Sequence, residues 1–144
     1  MQAAARALGL QVYALNASDE HDIDTAFANF VQHRVGALTF AADAVLTNRR
    51  DQLIALAARH AVPAMYFVRE FADAGGLMSY GGHLTEAYRL AGVYAGRILK
   101  SEKPADLPVQ QVTKVQLVIN MKTAKTLGLT FPITLLGRAD EVIE

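Results

Sequence analysis

Apolar positions along the chain switch between two periods, and the switching predicts the architecture. Ala3, Ala4, Ala7 and Leu8 share one helical face that Gly9 closes. The run LQVYAL (10–15) reads as a strand, and NASDEHD breaks it. From Asp19 the apolar residues recur at Ile23, Phe27, Phe30 and Val31, the spacing of a helix. Ser18 or Asp19 can cap it, and Asp19, Glu20, Asp22 and Asp24 suit the positive end of its dipole. GALTFAA (36–42) is apolar without alternation, as in a strand buried on both faces. The next helix has Thr47 or Asn48 as its cap, Leu46 as a staple, and Leu53, Leu56, Ala57 and His60 on one face. VPAMYFV (62–68) is a third strand, with Pro63 at its start, where a missing N–H is tolerated. The order α-β-α-β-α-β over 1–68 predicts an α/β fold, a three-layer parallel sheet with flanking helices.

After residue 68 the rhythm changes. REFADAGG is a connector and LMSYG (77–81) a short strand between glycine pairs. A helix of about 16 residues follows, with Leu84, Tyr88, Ala91, Ala95 and Ile98 on one face and Glu86, Arg89, Arg97 and Lys100 on the other. Gly92 and Gly96 would let something approach its backbone closely. SEKPADLP is a linker by composition, KVQLVIN a last strand, MKTAKTLG a short helix stopped by Gly128, and FPITLLGRADEVIE a tail. There is no internal repeat and no low-complexity tract.

Composition narrows the function. The chain has 144 residues, enough for a real core. Lys+Arg and Asp+Glu are equal at 14 each, without the basic excess a nucleic-acid surface needs, so no nucleic-acid partner is expected. With no cysteine, disulfides, thiolate zinc sites and thiol nucleophiles are excluded. No apolar run approaches the roughly 20 residues that span a bilayer. The opening segment lacks a basic region followed by an apolar core, so no export signal is expected there. It reads as the last turns of a helix, and the chain as a piece of something longer.

The chemistry-bearing motifs fail on spacing. Gly76-Leu77-Met78-Ser79-Tyr80-Gly81 nearly matches the G-x-S-x-G elbow of hydrolases. That elbow needs glycine two residues before the serine, and Met78 stands there. Neither phosphate-loop pattern is present, and Gly81-Gly82 before a helix has no nearby lysine or arginine to help hold an anion. His21, His33, His60 and His83 include no pair three or four apart, so no helical metal pair exists. Neither a catalytic set nor a metal site nor a cofactor is expected. Asn16-Ala17-Ser18 fits a glycosylation sequon and also a helix cap.

Position singles out other residues. Asp43 follows the buried-looking second strand, so it should lie at the carboxyl end of the sheet, where open α/β sheets bind ligands. The Ser18 turn and the Arg69-Glu70 pair should reach the same edge. Together they suit holding a small polar molecule. Asp43 also reads as a helix cap, and Arg69 and Glu70 as a mutual or interlobe ion pair.

Several long blocks carry a resemblance over essentially the whole chain: LAARHAVPAMYFVREFADAGGLMSYG, then ILKSEKPADLPVQQVTKVQLVINMKTAKTLGL, then LLGRADEVIE. They resemble the carboxyl-terminal portion of ABC-transporter substrate-binding proteins related to tryptophan- and tyrosine-binding lipoproteins. That resemblance implies the type I periplasmic-binding-protein fold, two α/β lobes joined by a hinge of crossing strands. It assigns 1–76 to the second lobe, 77–107 to a strand and helix of the first, and 108–144 to a return strand, a short helix and a tail. AGGLMSYG and LPVQQVTKVQLVIN would be hinge crossings. Asp43, Tyr66, Arg69, Glu70 and Tyr80 would be cleft or hinge residues. A small solute such as an amino acid, importer membrane subunits and a periplasmic location follow from the same resemblance. A ligand-sensing effector domain, or a fragment that folds without binding, are the alternatives.

The chain departs from the family's pattern in four places. Asp43-Ala44 stands for Asp-Pro, Gly82-His83 for Pro-Asp or Pro-Asn, Gln111-Val112-Thr113 for Gln-Pro-Thr, and Pro132-Ile133 for Pro-Pro. Members are also about twice as long, so the apolar face of 77–100 would lack its partner. Self-association, by exchange of 77–100 between copies, is therefore expected, because leaving so many large apolar side chains in water is costly.

Overall fold

The computed structural model describes residues 2–110 and 114–144, so Gln111-Val112-Thr113 lies outside the described residues. The chain forms two compact units, Met1–Arg34 and Val35–Glu144.

In the first unit, α1 (Gln2–Ala7) and α2 (Glu20–Gln32) flank a stretch without regular secondary structure. Asp19 caps α2, its Oδ1 accepting from the Asp22 N–H at 2.8 Å, and Ile23 and Phe27 are the buried positions of that helix. Residues 10–15 form no strand and carry no regular secondary structure. An extended segment becomes a strand only when another strand completes its ladder, and this unit contains only helices beside it.

The second unit is a five-stranded sheet in the order β1 (Leu38–Thr39), β2 (Ala64–Tyr66), β3 (Met78–Gly82), β4 (Val115–Asn120), β5 (Glu141–Ile143). β1, β2 and β3 run parallel, β4 runs antiparallel to β3, and β5 is parallel to β4. The α/β sheet expected from the sequence is present, with two differences. A fifth strand arises in the tail, where the Asp140 N–H donates to the Leu117 carbonyl and the Leu117 N–H donates to Asp140 Oδ2 at 2.8 Å. β4 turns antiparallel because the chain leaves β3 through α6 (Leu84–Leu99) and a 3₁₀ turn (Pro104–Asp106), then re-enters the sheet beside β3 from the end at which it left.

The helices also differ in detail. Neither Thr47 nor Asn48 caps the helix that carries Leu53; its N-cap position is Arg49, without a side-chain cap bond, and Asp43 caps a short helix before it. That short helix is α3 (Ala44–Asn48), and the separate α4 (Arg50–Arg59) buries Leu53, Leu56 and Ala57. The connector after β2 contains α5 (Arg69–Asp73), which packs Phe71 and Ala72 on β3 and β4. α7 (Met121–Thr126) and α8 (Ile133–Leu136) complete the unit. Val118, Ile119, Phe71 and Ala72 have no exposed surface and mark the centre of the core.

One polar side chain locks this centre. Asn120 is buried; its Oδ1 accepts from the Thr123 N–H at 3.1 Å, capping α7, and its Nδ2 donates to the Ala72 carbonyl at 3.1 Å. Thr123 Oγ1 donates to the Gly75 carbonyl at 2.8 Å. The turn between α5 and β3 is thus held from β4 and α7. Replacing Asn120 with alanine leaves the Ala72 carbonyl without this donor and α7 uncapped. Asn120→Ala should cost about 2–3 kcal/mol in denaturant unfolding, with the m-value unchanged.

Candidate functional site

Because β1, β2 and β3 are parallel, the chain leaves all three at one edge. Phe40 continues β1 by one hydrogen bond, its N–H donating to the Met65 carbonyl, and Asp43 follows. Phe67 and Val68 follow β2 and lead into Arg69 and Glu70 at the start of α5. β3 is longer than its neighbour. Its last residue paired with β2 is Ser79, opposite Tyr66, so Tyr80, Gly81 and Gly82 overhang β2 and pair only with β4.

Aromatic rings cover much of this edge. The Tyr66 ring is stacked between Phe40 (5.2 Å, 11° between planes) and Phe71 (4.6 Å, 15°). Phe67 tilts against Phe71 at 5.3 Å. Tyr66 is 2% exposed, whereas Phe40 and Phe67 are half-buried and Tyr80 is 55% exposed. Burial pushes the Tyr66 hydroxyl well above the ordinary tyrosine range, because the phenolate would have no water to solvate it.

The charged residues divide by role. Asp43 Oδ1 accepts from the Val45 N–H at 2.7 Å and the Leu46 N–H at 3.3 Å, so one oxygen caps α3. The Arg69 guanidinium is held by Asp73 through Nε at 3.1 Å and by Glu141 through Nη1 at 3.1 Å, not by Glu70. It ties α5 to β5. Glu70 is half-buried, and its Oε2 is enclosed without a hydrogen-bond partner. A carboxylate oxygen stripped of water and donors is costly, and a cationic donor would relieve that cost. Ser18 lies in the first unit, where its N–H donates to Asp22 Oδ2 at 2.9 Å.

Gly81 sets how closely the edge packs. A Cβ there would overlap the carbonyl oxygen of Phe67, and one on Gly76 would stand 2.7 Å from both the Phe71 oxygen and the Tyr66 ring. Gly76 and Gly81 are therefore places where another backbone or ring occupies the side chain's volume, whereas Gly75 has open space around it and a φ of +106°. No nucleophile is built here. Ser79 Oγ is buried in the sheet with no partner. Among the described residues, no group of three or more His, Asp or Glu could hold a metal ion.

A family model for ABC transporter substrate binding proteins matches residues 1–143. The chain belongs to that family. Two solved structures share the fold over 98% of the chain. One is a conserved domain protein of Vibrio cholerae O1 biovar El Tor N16961, 22% identical, with a TM-score of 0.88 over 47% of its own length. The other is the ABC domain from Streptococcus pneumonia in complex with L-Trp, 26% identical, with a TM-score of 0.87 over 49% of its length. A ligand-free, open substrate binding protein with adhesive properties from Clostridium difficile matches at 18% identity and a TM-score of 0.64, over 99% of this chain and 47% of its own. No curated protein matches the chain. This family member thus spans about half the length of the solved proteins it matches.

A small cavity of about 50 Å³ between α4, α7 and β2, lined by Ala57, Val62, Leu77 and Leu127, is far below the roughly 300–1,000 Å³ of a solute pocket. The carboxyl edge is the better candidate. The sequence reading missed Phe40 and Phe67, although each is an aromatic residue in a strand's last positions, and missed Asp73 and Glu141 as the partners of Arg69.

Gly81→Ala should destabilise the second unit by about 2–3 kcal/mol or more, read as a lower denaturant midpoint, because backbone rather than a side chain must move. A second prediction concerns pH. As pH rises past 10.0, the unfolded chain loses the Tyr66 proton while the folded chain keeps it. Stability is therefore full below about pH 10 and falls above it by up to about 1.4 kcal/mol per pH unit. Tyr66→Phe should remove that part of the decline.

Proposed function

We propose that this chain is a solute-binding element of an ABC-type importer, holding a small amino acid-like molecule at the carboxyl edge of β1, β2 and β3. On this reading, 1–76 belongs to the second lobe of a type I binding protein, 77–107 to the first, and 108–144 is the return. It works outside the cytoplasmic membrane and hands its solute to the importer's membrane subunits. It binds and releases; it is not an enzyme.

The observation that carries the reading is the pairing of unpartnered chemistry with aromatic surface. The enclosed Glu70 Oε2 lacks a donor, and Phe40, Phe67 and Tyr80 present rings at the same edge. A turn of the half-buried Glu70 side chain would present that oxygen to an ammonium group, and an aromatic or apolar side chain fits the rings. The L-Trp complex of the 26% identical relative supports this solute class. Tyr66 backs Phe40 from below, Asp43 offers its second carboxylate oxygen to a donor, and Arg69 steadies the edge.

Titration calorimetry with L-Trp, L-Tyr and L-Leu tests it. Binding of at least one is expected, with Glu70→Gln weakening it about 10- to 100-fold and Tyr80→Ala about 10-fold. A folded chain that binds none of them overturns the assignment.

A further inference from the structure

α5 carries Glu70 to the candidate site, yet the helix does little to hold itself there. It has five residues, too few to be stable as an isolated helix. Val68 stands at its N-cap without a side-chain bond, so no capping oxygen fixes the first turn. Its far end is held by the burial of Phe71 and Ala72 and by Asn120, whose Nδ2 donates to the Ala72 carbonyl. The near end, where Glu70 sits, is tied through Arg69, and the guanidinium forks twice. One fork meets Asp73 in the same helix, Nε to Oδ2 at 3.1 Å and Nη2 to Oδ1 at 3.3 Å. The other meets Glu141 on β5, Nη1 to Oε2 at 3.1 Å and Nη2 to Oε1 at 3.3 Å. The Asp73 fork turns with α5 and anchors it to nothing outside the helix. The Glu141 fork spans 72 residues of sequence and ties the helix to the sheet. Glu141 is itself fixed, since it lies opposite Val118 in the ladder and Asp140 before it is bonded to Leu117 in both directions.

We infer that Glu141 is a positioning residue for solute binding: from β5 it sets, through Arg69, the rotation of α5 and so the place of the Glu70 carboxylate. The inference rests on the proposed role of Glu70 as acceptor for the solute's ammonium group. The geometry favours orientation over strength. Two forks on one planar guanidinium fix its plane, which a single-point ion pair does not do. The pairs are a third or more exposed, so they add little to stability. Direction matters more at this place. Glu70 Oε2 is enclosed and must swing to meet a donor, and a rotated α5 changes where that swing ends. A hydrogen bond weakens steeply once it is bent below about 120°. β5 lies two strands beyond β3, so the tail acts on a site built on β1, β2 and β3 without belonging to it.

Titration calorimetry on the full chain tests this, with the tightest-binding of L-Trp, L-Tyr and L-Leu as the probe. Glu141→Gln, which keeps the shape but breaks the fork, should weaken binding about 3- to 10-fold, with a nearly unchanged denaturant midpoint. Arg69→Lys keeps the charge but cannot fork, and should lose about as much. In a Glu70→Gln background, Glu141→Gln should add less than about 2-fold, because the group it positions is gone. Glu144→Gln removes the same charge from the same tail at an exposed residue outside the fork, and should leave affinity unchanged. Full affinity in Glu141→Gln overturns the inference and leaves the solute reading standing. So does an equal loss in the Glu70→Gln background, or a matching loss in Glu144→Gln, since either marks a general structural or electrostatic effect. A native chain that binds none of the three probes overturns the solute reading, and this inference with it.

Discussion

The architecture of the second unit depends on one close approach, that of the Phe67 backbone to Gly81. β3 must leave the sheet past β2 while β2 is turning into α5, and the two chains cross where only a hydrogen atom fits. That contact fixes where β2 ends. It also leaves Tyr80 and the glycines on an overhang that β4 alone supports. Moving Phe67 aside would disturb the Phe67–Phe71 contact, and through Phe71 the stack on Tyr66 and Phe40. The aromatic edge and the path of β3 are therefore one packing problem.

Polar groups steady the same region from the other side of β3. Asn120 spans from β4 to the end of α5, and Arg69 spans from the start of α5 to β5. They do not contribute equally. Asn120 is buried, so its hydrogen bonds act away from competing water. The Arg69 pairs are a third or more exposed, and such ion pairs contribute less than about 1 kcal/mol each. Asn120 thus secures the fold, while Arg69 chiefly restrains the orientation of α5, and with it the Glu70 carboxylate.

α6 shows how helix formation and helix burial separate. The helix is well formed by its own ion pairs and its amphipathic period, yet its apolar stripe finds no core among the described residues. A helix can form locally; its hydrophobic stabilisation cannot, because that comes from a facing surface. The chain spans about half the length of the solved proteins it matches.

Much of this was legible in order. The apolar runs at 36–42 and 62–68, the short strand between glycines and the long amphipathic helix all rest on local periodicity, and the chain realises each, while the alternation of helix and strand holds except at 10–15. The blocks that resemble substrate-binding proteins led to the family that the match over 1–143 bears out. Long-range pairing was not legible. Residues 10–15 have strand composition but no ladder within their unit, and 141–143 became a strand because Asp140 pairs with Leu117, which nothing near residue 140 announces. Asp43 was placed at the right edge and also read as a helix cap, and the hydrogen bonds show that cap on α3. Arg69 stands next to Glu70 but is held by Asp73 and Glu141, since a helix turns neighbours apart and the sheet brings residue 141 to it. The sequence by itself determined the longer helices, the core strands with their order, and the family, because these follow from side-chain period and local backbone preference. Only the tertiary structure decided which glycine had to be glycine, which carboxylate was left without a donor and which helix face was left in water, because each depends on atoms far apart in the chain.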